Sequence, residues 1–191
     1  MTLYPVIMPV DEVSSRLFGK KKVERLSAIA REALRLSANK SGIALGELRK
    51  DRDDRPVPFD GIYWSLSHKS KYVAAVLCTE KIGIDIEEIK PRSERFFNKT
   101  ASAKEWDLVG GKNWCNFYRY WTAKESVLKA DGLGIGGLLQ CRITSVLNDT
   151  NIEIFYKGQR FKIEQLYYRD HIVSVVKNDY PVEWIVIHGV T

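Results

Sequence analysis

Cysteine is scarce: the 191 residues include three, Cys78, Cys115 and Cys141, with no paired spacing and no CxxC. That pattern argues against a disulfide framework and against a zinc site built on thiolates. Long apolar runs are missing as well. No stretch approaches the ~18 consecutive apolar residues of a membrane span, and the apolar run at residues 6–8 is far too short for a signal-peptide core. The expected compartment is the cytoplasm, with no membrane partner. His171 and His188 have no ligand-like spacing with anything and read as structural. There is no G-x-S-x-G elbow, which argues against a serine hydrolase. The glycine-rich run at residues 132–137 follows a helical pattern rather than a strand and lacks a Lys-Ser/Thr, so neither a dinucleotide fingerprint nor a P-loop fits. It reads as a helix stop and turn.

What is present is ordinary for a folded protein. Hydrophobic residues make up 45%, which excludes disordered and collagen-like classes. At roughly 100–200 residues per domain, the length allows one domain or two tightly packed small ones. Thirty Lys+Arg against 24 Asp+Glu leave a net charge of +6, which favours an anionic partner without choosing among nucleic acid, phosphates and acidic proteins.

Periodicity gives the element order. Residues 1–10 alternate loosely, as an opening strand would. Leu26, Ile29, Ala30, Ala33 and Leu34 repeat at helical period, with Ser41-Gly42 as the stop. Residues 49–55 are nearly all charged and lead into Pro56, an exposed loop. Strands are predicted at 63–67, 72–78 and 82–86, a helix at about 113–129, then strands at 141–147, 151–156, 161–168, 172–177 and 184–188. The similar apolar runs at 72–77 and 171–176 suggest an internal duplication of about 90 residues. The expected fold class is α+β, a pseudo-duplicated monomer of two similar halves, 1–90 and 91–191, whose seam would form a ligand cleft.

Several residues are suited to chemistry. In Gly83-Ile84-Asp85-Ile86-Glu87, strand alternation puts Asp85 and Glu87 on one face, roughly 7 Å apart at Cα. A hard divalent ion with oxygen ligands, Mg²⁺ above all, would reconcile the two charges; a solvated acidic edge strand is the plainer alternative. Glu125 falls one turn after Trp121 and one turn before Lys129, beside an apolar helix face. It suits a metal or a cation, or a surface pair with Lys129. Ser67 and His68 end a strand and could hold a phosphate; as neighbours on a strand they point apart, which does not suit a nucleophile and its base.

The order and spacing of these pieces, Ser67-His68, Gly83-x-Asp85-x-Glu87 and Trp121-x-x-Lys124-Glu125-Ser126-x-x-Lys129, resemble the 4′-phosphopantetheinyl transferase superfamily, in particular its monomeric, surfactin-synthetase-activating branch. The resemblance is sharp over about residues 54–134 and looser outside them. It implies transfer of the phosphopantetheine arm of coenzyme A to a serine of an acidic acyl or peptidyl carrier protein, with Mg²⁺ (Mn²⁺ as an alternative) and release of adenosine 3′,5′-bisphosphate. By that resemblance Asp85, Glu87 and Glu125 are metal ligands, and Glu125 is also the general base for the serine. Lys129 serves the leaving group and Lys124 a phosphate. Ser67 and His68 contact the coenzyme A phosphates, and Arg55, with Pro56, borders the adenine. The half 1–90 would supply the coenzyme A contacts and first metal carboxylates, and the half 91–191 the Trp121–Lys129 helix. By the same resemblance residues 133–139 and 90–97 lie near where the carrier docks, and Lys90, Arg92, Arg95 and Lys99 would suit an acidic carrier electrostatically. Two departures stand out: Ala101 follows the Phe96-Phe97 segment where many relatives are acidic, with Glu105 later in the chain, and the family's basic first-helix contacts have no single counterpart, which leaves Lys20, Lys22 and Arg25 as candidates for them. The competing readings are a non-catalytic coenzyme A or carrier-binding module and a nucleic-acid binder; the second lacks a recognisable module, so no nucleic acid is expected as a partner.

Overall fold

A computed structural model describes residues 1–132 and 137–188. The chain divides into two compact units, one of residues 1–82 with the segment from Tyr180 onward, the other of residues 83–179. The glycine-rich turn and the carrier-facing segment expected over 133–139 fall partly on residues 133–136, outside the described residues.

The first unit is a four-stranded sheet covered by one long helix. Its strands are β1 (Val6–Pro9), β2 (Tyr63–His68), β3 (Tyr72–Cys78) and β9 (Ile185–Val186), in the order β2-β3-β1-β9. β3 pairs antiparallel with both β1 and β2, whereas β9 joins β1 in parallel. A short helix α1 (Glu12–Ser15) precedes α2 (Gly19–Ser41). The five apolar positions predicted to form one face of α2 are all buried, packed with Val6, Trp64, Val73, Ala75 and Leu77. Burying such a side chain contributes about 1.5–3 kcal/mol, so this stripe fixes which face of α2 meets the sheet. Gly42 ends α2 at φ 67, where a side chain would be strained, and its N–H returns to Ala38 and Asn39 carbonyls. The charged loop after it is exposed as expected, and the Asp51 carboxylate organises it by accepting from the backbone N–H groups of Asp53 and Arg55.

The second unit is a five-stranded antiparallel sheet in the order β4-β8-β7-β6-β5, built from β4 (Ile84–Glu88), β5 (Arg142–Asn148), β6 (Asn151–Tyr156), β7 (Gln159–Tyr168) and β8 (His171–Val176). Helices α3 (Arg95–Thr100), α4 (Ala103–Asp107) and α5 (Trp114–Asp131) lie between β4 and β5 in sequence. α5 packs on β4 and β8. Asn113 caps it by accepting from the Asn116 N–H. An aromatic cluster joins the three helices: Phe97 meets Trp106, Trp114 and Phe117, and Trp106 stacks on Tyr120 at 5.1 Å. The architecture is α+β, as expected. The strand at residues 84–88, read from sequence as the end of the first run of strands, pairs with β8 in the second unit. Its neighbours in sequence, β2 and β3, belong to the other sheet.

Candidate functional site

The acidic pair lies on β4, at the edge of the second unit's sheet. It is not a solvated acidic edge: Asp85 is 5% exposed and Glu87 6%, while Ile84 and Ile86 are fully buried on the other face. Two carboxylates removed from water need countercharge. The Lys129 ammonium donates to Asp85 Oδ1 at 2.8 Å and to the Ile84 carbonyl at 3.0 Å. Arg92 approaches Glu87 at 3.9 Å and lies over the Tyr118 ring. Burial pushes the Tyr118 phenol up, with Arg92 opposing and the Glu87 charge adding to the rise.

The helix is held against this strand by a close approach. A Cβ at Gly83 would come within 1.8 Å of the Ser126 carbonyl oxygen and 2.8 Å of the Ala130 N. Glycine is therefore required at the start of β4 for backbone clearance. With Gly83 beside Ser126 and Ala130, and with Lys129 on Asp85, the Tyr118 end of α5 lies by Arg92 and Glu87. Glu125 is half-buried between Tyr118 and Lys129, spaced +7 from one and −4 from the other, so all three share a helix face.

In kind, the donors fit a hard divalent ion: three carboxylates, two of them buried on one strand face and one on the helix that covers it. Among the described residues no three carboxylate, histidine or cysteine side chains already converge as an ion's ligands would. Asp85 instead faces a lysine.

Lys124, one residue before Glu125, points elsewhere. It is fully buried, and its ammonium donates to Glu105 Oε1 at 2.7 Å and to the Thr100 carbonyl at 2.8 Å. Glu105 Oε1 also accepts from the Ile143 N–H, and Oε2 from the N–H and hydroxyl of Ser102. Burial pushes the Glu105 carboxyl up, yet the Lys124 hydrogen bond and charge outweigh it and hold the group below the usual carboxylate value. Burial pulls the Lys124 ammonium down, opposed by the same pair. This pair escapes a reading based on site motifs. Its signal was Ser102-x-x-Glu105, a capping box that starts α4 and fixes the carboxylate's position.

In the first unit, Ser67 is buried and His68 half-buried at the end of β2, opposite Ala74 and Val73 of β3. Arg55 is exposed and lies 3.5 Å from Asp53. Lys20, Lys21 and Lys22 occupy the first turn of α2, which has no acidic residue and no side-chain cap. Lys22 donates to the Ser15 carbonyl and Arg25 to Ser14 and Asp11.

Comparison with known proteins gives a consistent answer. A family model described as 4'-phosphopantetheinyl transferase superfamily matches residues 81–184, a stretch that includes both β4 and α5. The chain is 33% identical over 116 residues to the 4'-phosphopantetheinyl transferase HetI of Nostoc sp., covering 53% of this chain and 49% of that protein. It is 30% identical over 170 residues to an L-aminoadipate-semialdehyde dehydrogenase-phosphopantetheinyl transferase of Pongo abelii, covering 81% and 52%. Over 142 residues it is 30% identical to a putative 4'-phosphopantetheinyl transferase of Haemophilus influenzae, covering 70% and 60%. The chain spans about half the length of these curated relatives.

Proposed function

Because the chain belongs to the 4′-phosphopantetheinyl transferase superfamily, we propose that it transfers phosphopantetheine from coenzyme A to a serine of an acidic carrier protein. The observation that carries this reading is the buried Asp85–Glu87 pair on β4 beneath a helix that presents Glu125 and Lys129. In the reaction the serine oxygen forms a bond to the phosphorus carrying the pantetheine arm, and the bond from that phosphorus to the bridging oxygen breaks. Adenosine 3′,5′-bisphosphate leaves with the bond's electron pair.

Each residue then has a task. Asp85, Glu87 and Glu125 would hold Mg²⁺ (or Mn²⁺), which when bound neutralises charge on the pyrophosphate. Glu125 takes the serine proton. Lys129 turns from Asp85 to the leaving oxygen, an exchange that a flexible four-carbon stem permits. Arg55, Ser67 and His68 are assigned to coenzyme A, at the adenine and the phosphates. Lys124 could meet a phosphate only by leaving Glu105 and Thr100; as it stands, the buried pair anchors α5 one residue from Glu125. On the carrier side, Arg95 and Lys99 lie on α3 and Lys90 is engaged with Glu88 at 2.7 Å.

The test is transfer itself. Purified protein with coenzyme A, Mg²⁺ and a panel of apo carrier proteins should convert the carrier serine to its phosphopantetheine form, read by intact-mass spectrometry. Glu125→Gln should lower the rate by at least about 100-fold while the thermal melt stays in place. Undiminished transfer by Glu125→Gln would remove the base assignment. Tight coenzyme A binding without transfer to any carrier would favour a non-catalytic module. No helix among the described residues is long and apolar enough to cross a membrane; a monomer acting in the cytoplasm completes the proposal.

A further inference from the structure

A row of polar side chains runs beneath α5. In the antiparallel registers Gln165 of β7 lies opposite Ser174 of β8, and Ser174 lies opposite Asp85 of β4. Directly opposed residues share a sheet face, so all three point toward α5. Contacts agree: Ser174 Oγ meets Thr122 Oγ1 at 2.6 Å, and Asp85 meets Lys129.

The hydrogen bonds in this row have one consistent direction. Gln165 Nε2 can only donate, and it donates to Ser174 Oγ at 2.8 Å and to the Arg119 carbonyl at 2.9 Å. The Thr122 hydroxyl donates to the Tyr118 carbonyl at 2.8 Å. Ser174 must therefore donate its proton to Thr122 Oγ1. Gln165 Oε1 meanwhile accepts from Arg119 Nε at 3.0 Å, and the Arg119 guanidinium also donates to the Asn148 carbonyl. The network ties β7 and β8 to the middle of α5, and Gln165, Ser174 and Thr122 are all at most 1% exposed.

We propose that Gln165, Ser174, Thr122 and Arg119 are positioning residues that set the height and rotation of α5 over β4, and so the placement of Glu125 and Lys129 relative to Asp85 and Glu87. The proposal rests on the transferase reading above. Apolar contact is non-directional and would tolerate several seatings of a helix on a sheet, whereas a buried donor left without its acceptor penalises every seating but one. Thr122 lies three residues before Glu125 and seven before Lys129 on the same helix, so an error at Thr122 is carried to both.

Thr122→Val keeps shape and volume but removes the hydroxyl, and Thr122→Ser restores it. Mn²⁺ binding to the full chain, titrated by electron paramagnetic resonance, gives a readout independent of turnover. In Thr122→Val the Mn²⁺ dissociation constant should rise at least about 10-fold with kcat falling in parallel, KM for coenzyme A staying within about 2-fold. Thr122→Ser should return both to within about 3-fold of the parent. Ser174→Ala, which deletes a single oxygen, should give the same defects and combine with Thr122→Val less than additively; it decides the matter should the valine variant not fold. Unchanged Mn²⁺ affinity and kcat in folded variants, with only a lower melting temperature, would overturn the proposal and leave the row as packing. A parent protein that neither binds Mn²⁺ nor transfers would overturn the transferase reading, and this inference with it.

Discussion

Glu105 accepts from a lysine, a hydroxyl and two backbone N–H groups, so its charge is compensated inside the protein by α5, β5 and the first turn of α4. Removing that charge strands the Lys124 ammonium. Glu105→Gln should cost about 3–5 kcal/mol at neutral pH, measured by chemical denaturation. Because the folded carboxyl lies below its ordinary value of 4.5, its contribution is complete above that pH and disappears as pH falls through the folded value. The gap between parent and Glu105→Gln should therefore be constant from pH 7 to about 5 and shrink in stronger acid. Motif spacing singled out Asp85, Glu87, Glu125 and Lys129, all on β4 or α5. It could not show that Lys124 is buried, because spacing on a helix gives the direction of a side chain and not what the other elements bring to meet it.

At the scale of elements, β4 and α5 depend on one glycine. Gly83→Ala would drive a methyl group into the Ser126 carbonyl, and neither partner is a side chain that can turn aside. The expected cost is about 3 kcal/mol, a fall of about 6–12 °C in melting temperature, with transfer reduced further than coenzyme A binding. The long periodic elements were legible: α2 from its apolar stripe, and β3 and β6 at the residues expected. The short helices α1, α3 and α4 were not. Helices of four to six residues complete too few turns to show a repeat. Strand partners were hidden for another reason. Strands buried on both faces read alike, and β3 and β8, which belong to different sheets, are each buried along their whole length.

For the molecule as a whole, the proposed function and the net charge of +6 together make salt a test of carrier capture. If an acidic carrier is drawn by Lys and Arg side chains, raising ionic strength from about 0.05 to about 0.5 M should raise KM for the carrier at least about 3-fold with little change in kcat. A carrier KM indifferent to salt would mean that shape or apolar contact dominates. The two halves expected from sequence met at residue 90, whereas the compact units part between Ile82 and Gly83 and the chain returns to the first after Asp179. That return has a consequence for the order of synthesis. Every strand of the five-stranded sheet is translated before β9, the parallel partner of β1. On a ribosome the second unit can close while the first, begun earlier, still waits for its last strand.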